Sequence, residues 1–314
     1  MLYRRFGKTE LSMPVFSCGG MRYQQAWTDL KPDTIKTEGQ RNLEAVIRRS
    51  VDLGINHIET ARGYGSSEMQ LGWILPQLPR HKLILQTKVG PRKKVEEFEE
   101  NFHKSLQYLQ VDYVDLFGVH GINTQEDLDN TLRPGGCLEK ALKWKEQGKL
   151  RHIGFSTHGP THVIVDAIKS GQFDYVNLHW YYINQFNWAA IQAATDLDMG
   201  VFIISPTNKG GLLNDPPDKL LDLCRPLSPM VFNDLFCLSH PQVHTLSLGA
   251  SNPSDFDEHL KTLDFLDQAS EVLPPILQRL EEAMVEAFDT ALGIGEGESW
   301  RRSWHRGLPE PHHV

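Results

Sequence analysis

LILQTKVG (83–90) and YVDLFGVHG (113–121) are short apolar runs, each carrying near its end a polar residue, Lys88 or His120, within two positions of a glycine. Runs of this length and composition read as buried strands. The stretch between them repeats apolar side chains at Phe98, Phe102 and Leu106, a spacing of four that puts them on one helical face. A strand, a helix and a second strand fit in about 35 residues, and the same unit recurs in both directions. The candidate strands are 15–19, 57–61, 83–89, 113–119, 152–156, 175–179, 201–205 and 243–248. Eight such units are the count of a closed parallel (β/α)8 TIM barrel, in which reactive groups gather at the carboxyl ends of the strands. An open doubly wound sheet would carry a glycine-rich turn after its first strand. GYGSSE (63–68) has two of the three glycines of that fingerprint and reads as a strand-to-helix turn.

Glu59 and Tyr64 in IETARGYG (58–65), with Lys88 and His120, fall at the ends of three consecutive predicted strands. Each has a plain structural reading alone: a turn aromatic, a solvated lysine, a core histidine. Together they match the needs of hydride transfer to a carbonyl, whose oxygen must gain a proton as the hydride arrives. Tyr64 is the candidate general acid. Lys88 and Glu59 are expected to lower its pKa, and His120 to orient the carbonyl.

Composition bounds the rest. At 314 residues and 40% hydrophobic, the chain supports one large core. A net charge of −8 and a pI near 6.0 give no footprint for nucleic acid. The basic runs 92–94 and 301–302 are short and read as solvated faces. No apolar run approaches a membrane span, and MLYRRFGKTE lacks a signal-peptide core, so a cytoplasmic location is expected. Cys18, Cys137, Cys224 and Cys237 lack CxxC spacing and read as reduced, structural thiols.

The ends depart from the repeat. Residues 1–14 suggest a hairpin around a Gly-Lys turn that closes the barrel bottom. Residues 253–266 suggest a closing helix capped by Asn252 or Ser254, and 274–292 a further amphipathic helix. The barrel unit is assigned to residues 1–294, with closing helices at 253–293 and a tail at 295–314, where Trp300 and Trp304 are spaced to form one helical turn over a cleft.

The segments YRRFGKTELSMPVFSCGGM (3–21), IETARGYG, TKVG, the histidine ending strand 4, GFSTHGP (154–160), VFIISPTNKGGLL (201–213) and LSLGASNPSDFDEHL (246–260) occur in an order that resembles the aldo-keto reductases. The resemblance implies a soluble barrel enzyme reducing a small aldehyde or ketone with NADPH, NADH being possible. It carries the tyrosine role to Tyr64, the lysine to Lys88 and the histidine to His120, with Glu59 in the place of the usual aspartate. It also implies a cofactor site made of Ser156, Thr157, Asn177, Ser205, Lys209, Gly210, Gly249, Ser251, Asp255, Glu258 and His259. The chain departs from the pattern at several of these. Thr157 and Asn177 stand where an asparagine and a glutamine usually grip the nicotinamide amide. Ile204 replaces a frequent stacking aromatic, for which Trp180 and Phe202 are the candidate substitutes. The bases that usually hold a 2′-phosphate are replaced by Ser251, Asn252 and Asp255, leaving Lys209 and His259 nearby, so weak discrimination between the two cofactors is expected.

The sequence also admits two other readings. Imidazoles at His120, His158 and His179 suit a metal-dependent hydrolase, but VFSCGGM offers no ligand pair on the first strand and TLSLGA ends without an acid, so no metal site is expected. A regulatory or sensory barrel that keeps the cofactor but turns over slowly is the second. The substrate loops fall at 23–36, 121–136 and 180–188, and INTQEDLDNTLRPGG (122–136) reads equally as a lid or a surface excursion. Substrate identity and oligomeric state have no signature in the sequence.

Overall fold

A computed structural model describes residues 1–22, 26–208 and 211–292. Lys209, Gly210, Tyr23 and the tail with Trp300 and Trp304 lie outside the described residues. Eight parallel strands close into a barrel: β3 (Phe16–Gly19), β4 (His57–Glu59), β5 (Ile84–Val89), β6 (Val114–His120), β7 (Leu150–Ser156), β8 (Tyr175–Leu178), β9 (Gly200–Ile203) and β10 (Thr245–Leu248), with β10 pairing both β9 and β3. Each lies within two residues of its sequence-based bounds. The period of two separates the faces: Phe117 and Phe155 point out beneath the helices, while Leu116 and Tyr175 belong to an interior cluster with Phe6, Met13, Ile84 and Phe202.

The outer layer is set by helical spacing, and its helices run α1 (Thr37–Asp52), α2 (Ser67–Gly72), α3 (Val95–Leu109), α4 (Gln125–Leu132), α5 (Cys137–Glu146), α6 (Thr161–Lys169), α7 (Trp188–Asp196), α8 (Asp218–Cys224), α9 (Pro229–Leu238), α10 (Asp255–Leu260) and α11 (Ala269–Leu292). Helix α3 (Val95–Leu109) buries Val95, Phe98, Phe102 and Leu109. Phe102 stacks on Trp144 of α5 (Cys137–Glu146) with ring centroids 4.0 Å apart, and both meet Phe117 edge-on. The 122–136 excursion carries a short helix, Gln125–Leu132, fixed by a reciprocal cap between Thr124 and Asp127.

The N-terminal hairpin forms as expected, β1 (Tyr3–Arg5) pairing antiparallel with β2 (Ser12–Pro14) around a turn at Gly7–Thr9. It closes the barrel floor by inserting Phe6 and Met13, both fully buried, into the interior cluster. After β10, α10 (Asp255–Leu260) is shorter than the predicted 253–266, because the chain tightens into 3₁₀ turns at 261–264 and 266–268. The last helix, α11 (Ala269–Leu292), begins five residues before Pro274, which therefore lies inside the helix instead of opening it. All four cysteines are buried and unpaired by disulfide. Among the described residues no helix is long and apolar enough to cross a membrane.

The hairpin seat depends on Gly7. Its φ is +52°, and a β-carbon there would lie 2.4 Å from the Asp198 carbonyl oxygen. Gly7→Ala is expected to destabilise the protein by roughly 1–3 kcal/mol through combined strain and overlap, measured as a lowered denaturant midpoint at unchanged m.

Candidate active site

At the carboxyl end of the barrel Glu59, Lys88, Tyr64 and His120 line one cavity of about 330 Å³, together with Gly19, Met21, Arg22, Trp27, Ser156, His158, Ile204, Ser205, Thr207, Gly211, Ser247 and Gly249. Adjacent strands bring the first pair together: Glu59 ends β4, Lys88 stands near the end of β5, and β4 and β5 pair in parallel register. Lys88 is 2% exposed and Glu59 4%, so neither charge would be tolerable alone. The Lys88 ammonium donates to Glu59 Oε2 and, at 2.8 Å, to the Thr60 carbonyl. Glu59 Oε1 accepts from Ser247 Oγ at 3.1 Å. A glutamate therefore reaches the lysine at this position.

Above the pair, Lys88 Nζ lies 5.1 Å from the centre of the Tyr64 ring, and the Tyr64 and His120 rings meet edge to face at 5.6 Å. The electrostatics correct one expectation. Burial, reinforced by the Glu59 charge, holds the Tyr64 phenol well above its usual pKa instead of lowering it. Glu59 offsets the lysine that was expected to act on the tyrosine. His120 is lowered to about 3 by burial and then by the Lys88 and His158 charges, so its ring is neutral near pH 7. A neutral imidazole still has one N–H to donate.

The remaining predicted residues divide. Ser156, Ser205 and Gly249 line the cavity. Ser205 does so in a left-handed backbone conformation, φ +54°, which non-glycine residues seldom adopt. Thr157 faces away: its hydroxyl donates to the Ile122 carbonyl at 2.7 Å and accepts from the Gly159 amide. Asn177 pairs with Ser156 across β7 and β8, fully buried and off the cavity wall. Asp255 spends its carboxylate on the Ser251 and Asn252 amides, at 2.7 and 3.0 Å, which ties up two donors at the start of α10. Glu258 is held by Ser228 at 2.6 Å and by Lys261.

His259 overturns its expected role as a phosphate base. It is 5% exposed and pairs with buried Asp234 of α9 (Pro229–Leu238), so the helix turns its ring into the core. Trp180 and Phe202 are likewise core residues, Trp180 stacked on Phe236 and Phe202 against His57, and neither substitutes for the stacking aromatic. His158 and His179 hydrogen-bond to each other at 2.7 Å, and no group of three metal-ligating side chains occurs among the described residues.

Sequence reasoning missed Arg22, Met21 and Ser247, whereas Trp27 falls in the expected substrate loop 23–36. Arg22 runs past two bare glycines: its guanidinium is 2.6 Å from where a β-carbon would stand at Gly211, and its Cγ 3.2 Å from that point at Gly249. Its position two residues after Gly20, just past the end of β3, was the available signal. Trp27, 65% exposed, sits on a loop fastened through Asp29 to Arg62 and Lys104, with Arg62 also bound to buried Glu68. A second, more apolar cavity of about 400 Å³ lies between the loop after β8 and helices α9 and α11, and its one charged lining residue, Lys219, faces Glu286. It lacks the grouped titratable side chains of the first.

Residues 16–226 match the profile of the Aldo/keto reductase family. The chain belongs to that family. It is therefore a nicotinamide-dependent oxidoreductase. It is 25% identical over 232 residues to an uncharacterized oxidoreductase of Bacillus subtilis, covering 70% of this chain and 69% of that one. It is 26% identical over 179 residues to an NADH-specific methylglyoxal reductase of Escherichia coli, covering 50% of this chain and 54% of that one. The fold matches the holo form of an aldo-keto reductase from Bacillus halodurans with a TM-score of 0.73 at 22% identity, over 89% of this chain and 96% of the other.

Burial of uncharged histidines sets a pH limit on the fold that supports this site. His57, fully buried, is lowered to about 3 by desolvation and by Lys88. Unfolded, it takes up a proton near pH 6.5. Between these values the unfolded state binds the extra proton, so stability is present above about pH 6.5 and falls as pH drops towards 3, by about 1.4 kcal/mol per pH unit for this group. In His57→Asn the slope of unfolding free energy against pH between about 6 and 4 is expected to lessen by one proton, whatever the overall stability.

Proposed function

We propose that this protein reduces a small aldehyde or ketone to the alcohol, with Tyr64 as the proton donor. The observation that carries the reading is the arrangement of Tyr64 and neutral His120 beside a buried Lys88–Glu59 pair on the wall of one cavity. The same cavity, whose wall includes the bare backbone of Gly211 and Gly249 beside Arg22 together with Ser156 and Ser205, fits a nicotinamide dinucleotide. Bound there, the reduced cofactor supplies hydride. The protein's own residues do the rest. His120 donates its N–H to the carbonyl oxygen and orients it. The Tyr64 hydroxyl passes its proton to that oxygen as negative charge builds on it. An alkoxide is far more basic than a phenolate, so a phenol of raised pKa remains a competent donor. Lys88, aimed by Glu59 and Thr60, stabilises the phenolate left behind.

The same residues suit a cofactor-holding sensory barrel less well, since a barrel that only senses has no need of the buried ion pair. No disulfide spans the four buried cysteines, which supports a cytoplasmic enzyme.

Tyr64→Phe is expected to lower kcat by roughly two to four orders of magnitude while cofactor binding, read by fluorescence, persists. In the parent protein the rate of reduction should stay level to about pH 9, because the phenol titrates above its ordinary value near 10. Glu59→Gln should move the alkaline limb to lower pH, because the charge that raises the Tyr64 pKa is gone. An unmoved limb would separate Glu59 from the tyrosine.

Cofactor preference turns on the 2′-phosphate. His259 is engaged with Asp234, and the amides at the start of α10 are engaged with Asp255, so the strand-10 loop offers little to a dianion. Arg22, on the cavity wall beside Gly211 and Gly249, is a base that supports phosphate binding. Dissociation constants for NADPH and NADH are expected to agree within about tenfold, a gap of about 1.4 kcal/mol, with a ratio that does not change between about pH 6 and 8. Arg22→Gln should weaken both. A preference beyond roughly hundredfold would point to a further base holding the 2′-phosphate.

A further inference from the structure

Beneath the Lys88–Glu59 pair the barrel interior is polar before it becomes hydrocarbon. Side chains two apart on a strand share a face, so Gln86 and Asn177 point inward with Ile84 and Tyr175 of the interior cluster. One chain of bonds is complete: Thr245 and Ser17 hydroxyls at 2.7 Å, Ser17 Oγ and His57 Nδ1 at 2.6 Å, His57 Nε2 and Gln86 Oε1 at 3.1 Å. There the protein's own partners end. Among the described residues Gln86 Nε2, the Tyr175 hydroxyl and both amide atoms of Asn177 have no hydrogen-bond partner, although all three side chains are fully buried.

Tyr175 reaches this level through a slot made by two glycines. Strand register aligns Lys88 with Gly118, Gly118 with Gly154, and Gly154 with Tyr175. A β-carbon at Gly154 would lie 2.5 Å from the Tyr175 ring. One at Gly118 would lie 2.9 Å from Lys88 Cγ and 3.4 Å from the Tyr175 hydroxyl. The tyrosine thus lies across two bare strands, with its hydroxyl and the lysine stem on either side of the same glycine. Buried polar groups that lack protein partners are held by internal water, and several converging groups are what a water site requires.

We infer that Tyr175, Gln86 and Asn177 form a water-binding floor under the ion pair, and that Tyr175 is a positioning residue for Lys88. It acts through the glycine slot and the water it holds, and it does not touch the substrate. Lys88 is faced by Glu59 from β4, by Tyr64 and His120 from above and by His57 and Tyr175 from within the barrel, so the floor completes a polar enclosure around the ammonium. The effect on turnover rests on the reductase reading; the hydration does not.

Tyr175→Phe keeps the ring in its slot and removes only the hydroxyl. The expected result is a kcat lowered roughly tenfold, about what one net hydrogen bond is worth, with KM for the carbonyl and the thermal midpoint little changed. A high-resolution structure of the parent protein should show ordered water bonded to Tyr175 Oη and to the Gln86 or Asn177 amide. A packing role alone would be fully rescued by phenylalanine, so unchanged kcat overturns the positioning role. A dry interior overturns the floor. If the parent protein reduces no carbonyl with either NADPH or NADH, the reductase reading is what has failed, and the floor is then decided by the waters alone.

Discussion

The Lys88–Glu59 pair is the constraint from which the upper half of the barrel follows. Two opposite charges at 2% and 4% exposure are tolerable only if each remaining lone pair and proton finds a partner. The Thr60 carbonyl takes a second ammonium proton and the Ser247 hydroxyl donates to the other carboxylate oxygen, and Gly19, where a β-carbon would lie 2.8 Å from Ser247 Oγ, leaves the room for that hydroxyl. The pair also fixes its neighbours' protonation. Lys88 helps to keep His57 and His120 uncharged, and Glu59 helps to keep Tyr64 a phenol. A site of neutral donors around one compensated ion pair suits a reaction in which charge appears only as the carbonyl oxygen gains electrons.

Much of this was legible in the sequence because it is local. Strand parity and helix spacing are properties of a few consecutive residues, so all eight strands and the hairpin could be read directly. The placement of Glu59, Tyr64, Lys88 and His120 followed, since a strand end is also a place on the barrel rim. What failed depends on rotation and on long-range partners. Whether His259 faces a ligand or the core is decided by the turn of a short helix and by Asp234, 25 residues earlier in the chain. Thr157 was misread for the same reason, its hydroxyl being captured by the Ile122 carbonyl.

The sign of the Tyr64 shift was misjudged for a different reason. A lysine beside a phenol lowers its pKa only if the lysine's charge is not already neutralised. The sequence displayed Lys88 and Glu59 with equal clarity, but not which of them leaves the larger field at the ring. Burial, invisible in a single sequence, settles the matter in favour of the protonated form.

In the proposed reaction hydride passes from a reduced nicotinamide to a carbonyl carbon within the cavity. The most direct test uses NADPH or NADH labelled with deuterium at the reactive position 4, offered with a panel of small aldehydes and ketones, with the alcohol analysed by mass. Deuterium on the product's carbinol carbon, with the second added hydrogen exchanging freely with water, is the predicted result. Label retained on the cofactor, or an alcohol whose carbinol hydrogen comes from solvent, would contradict the account.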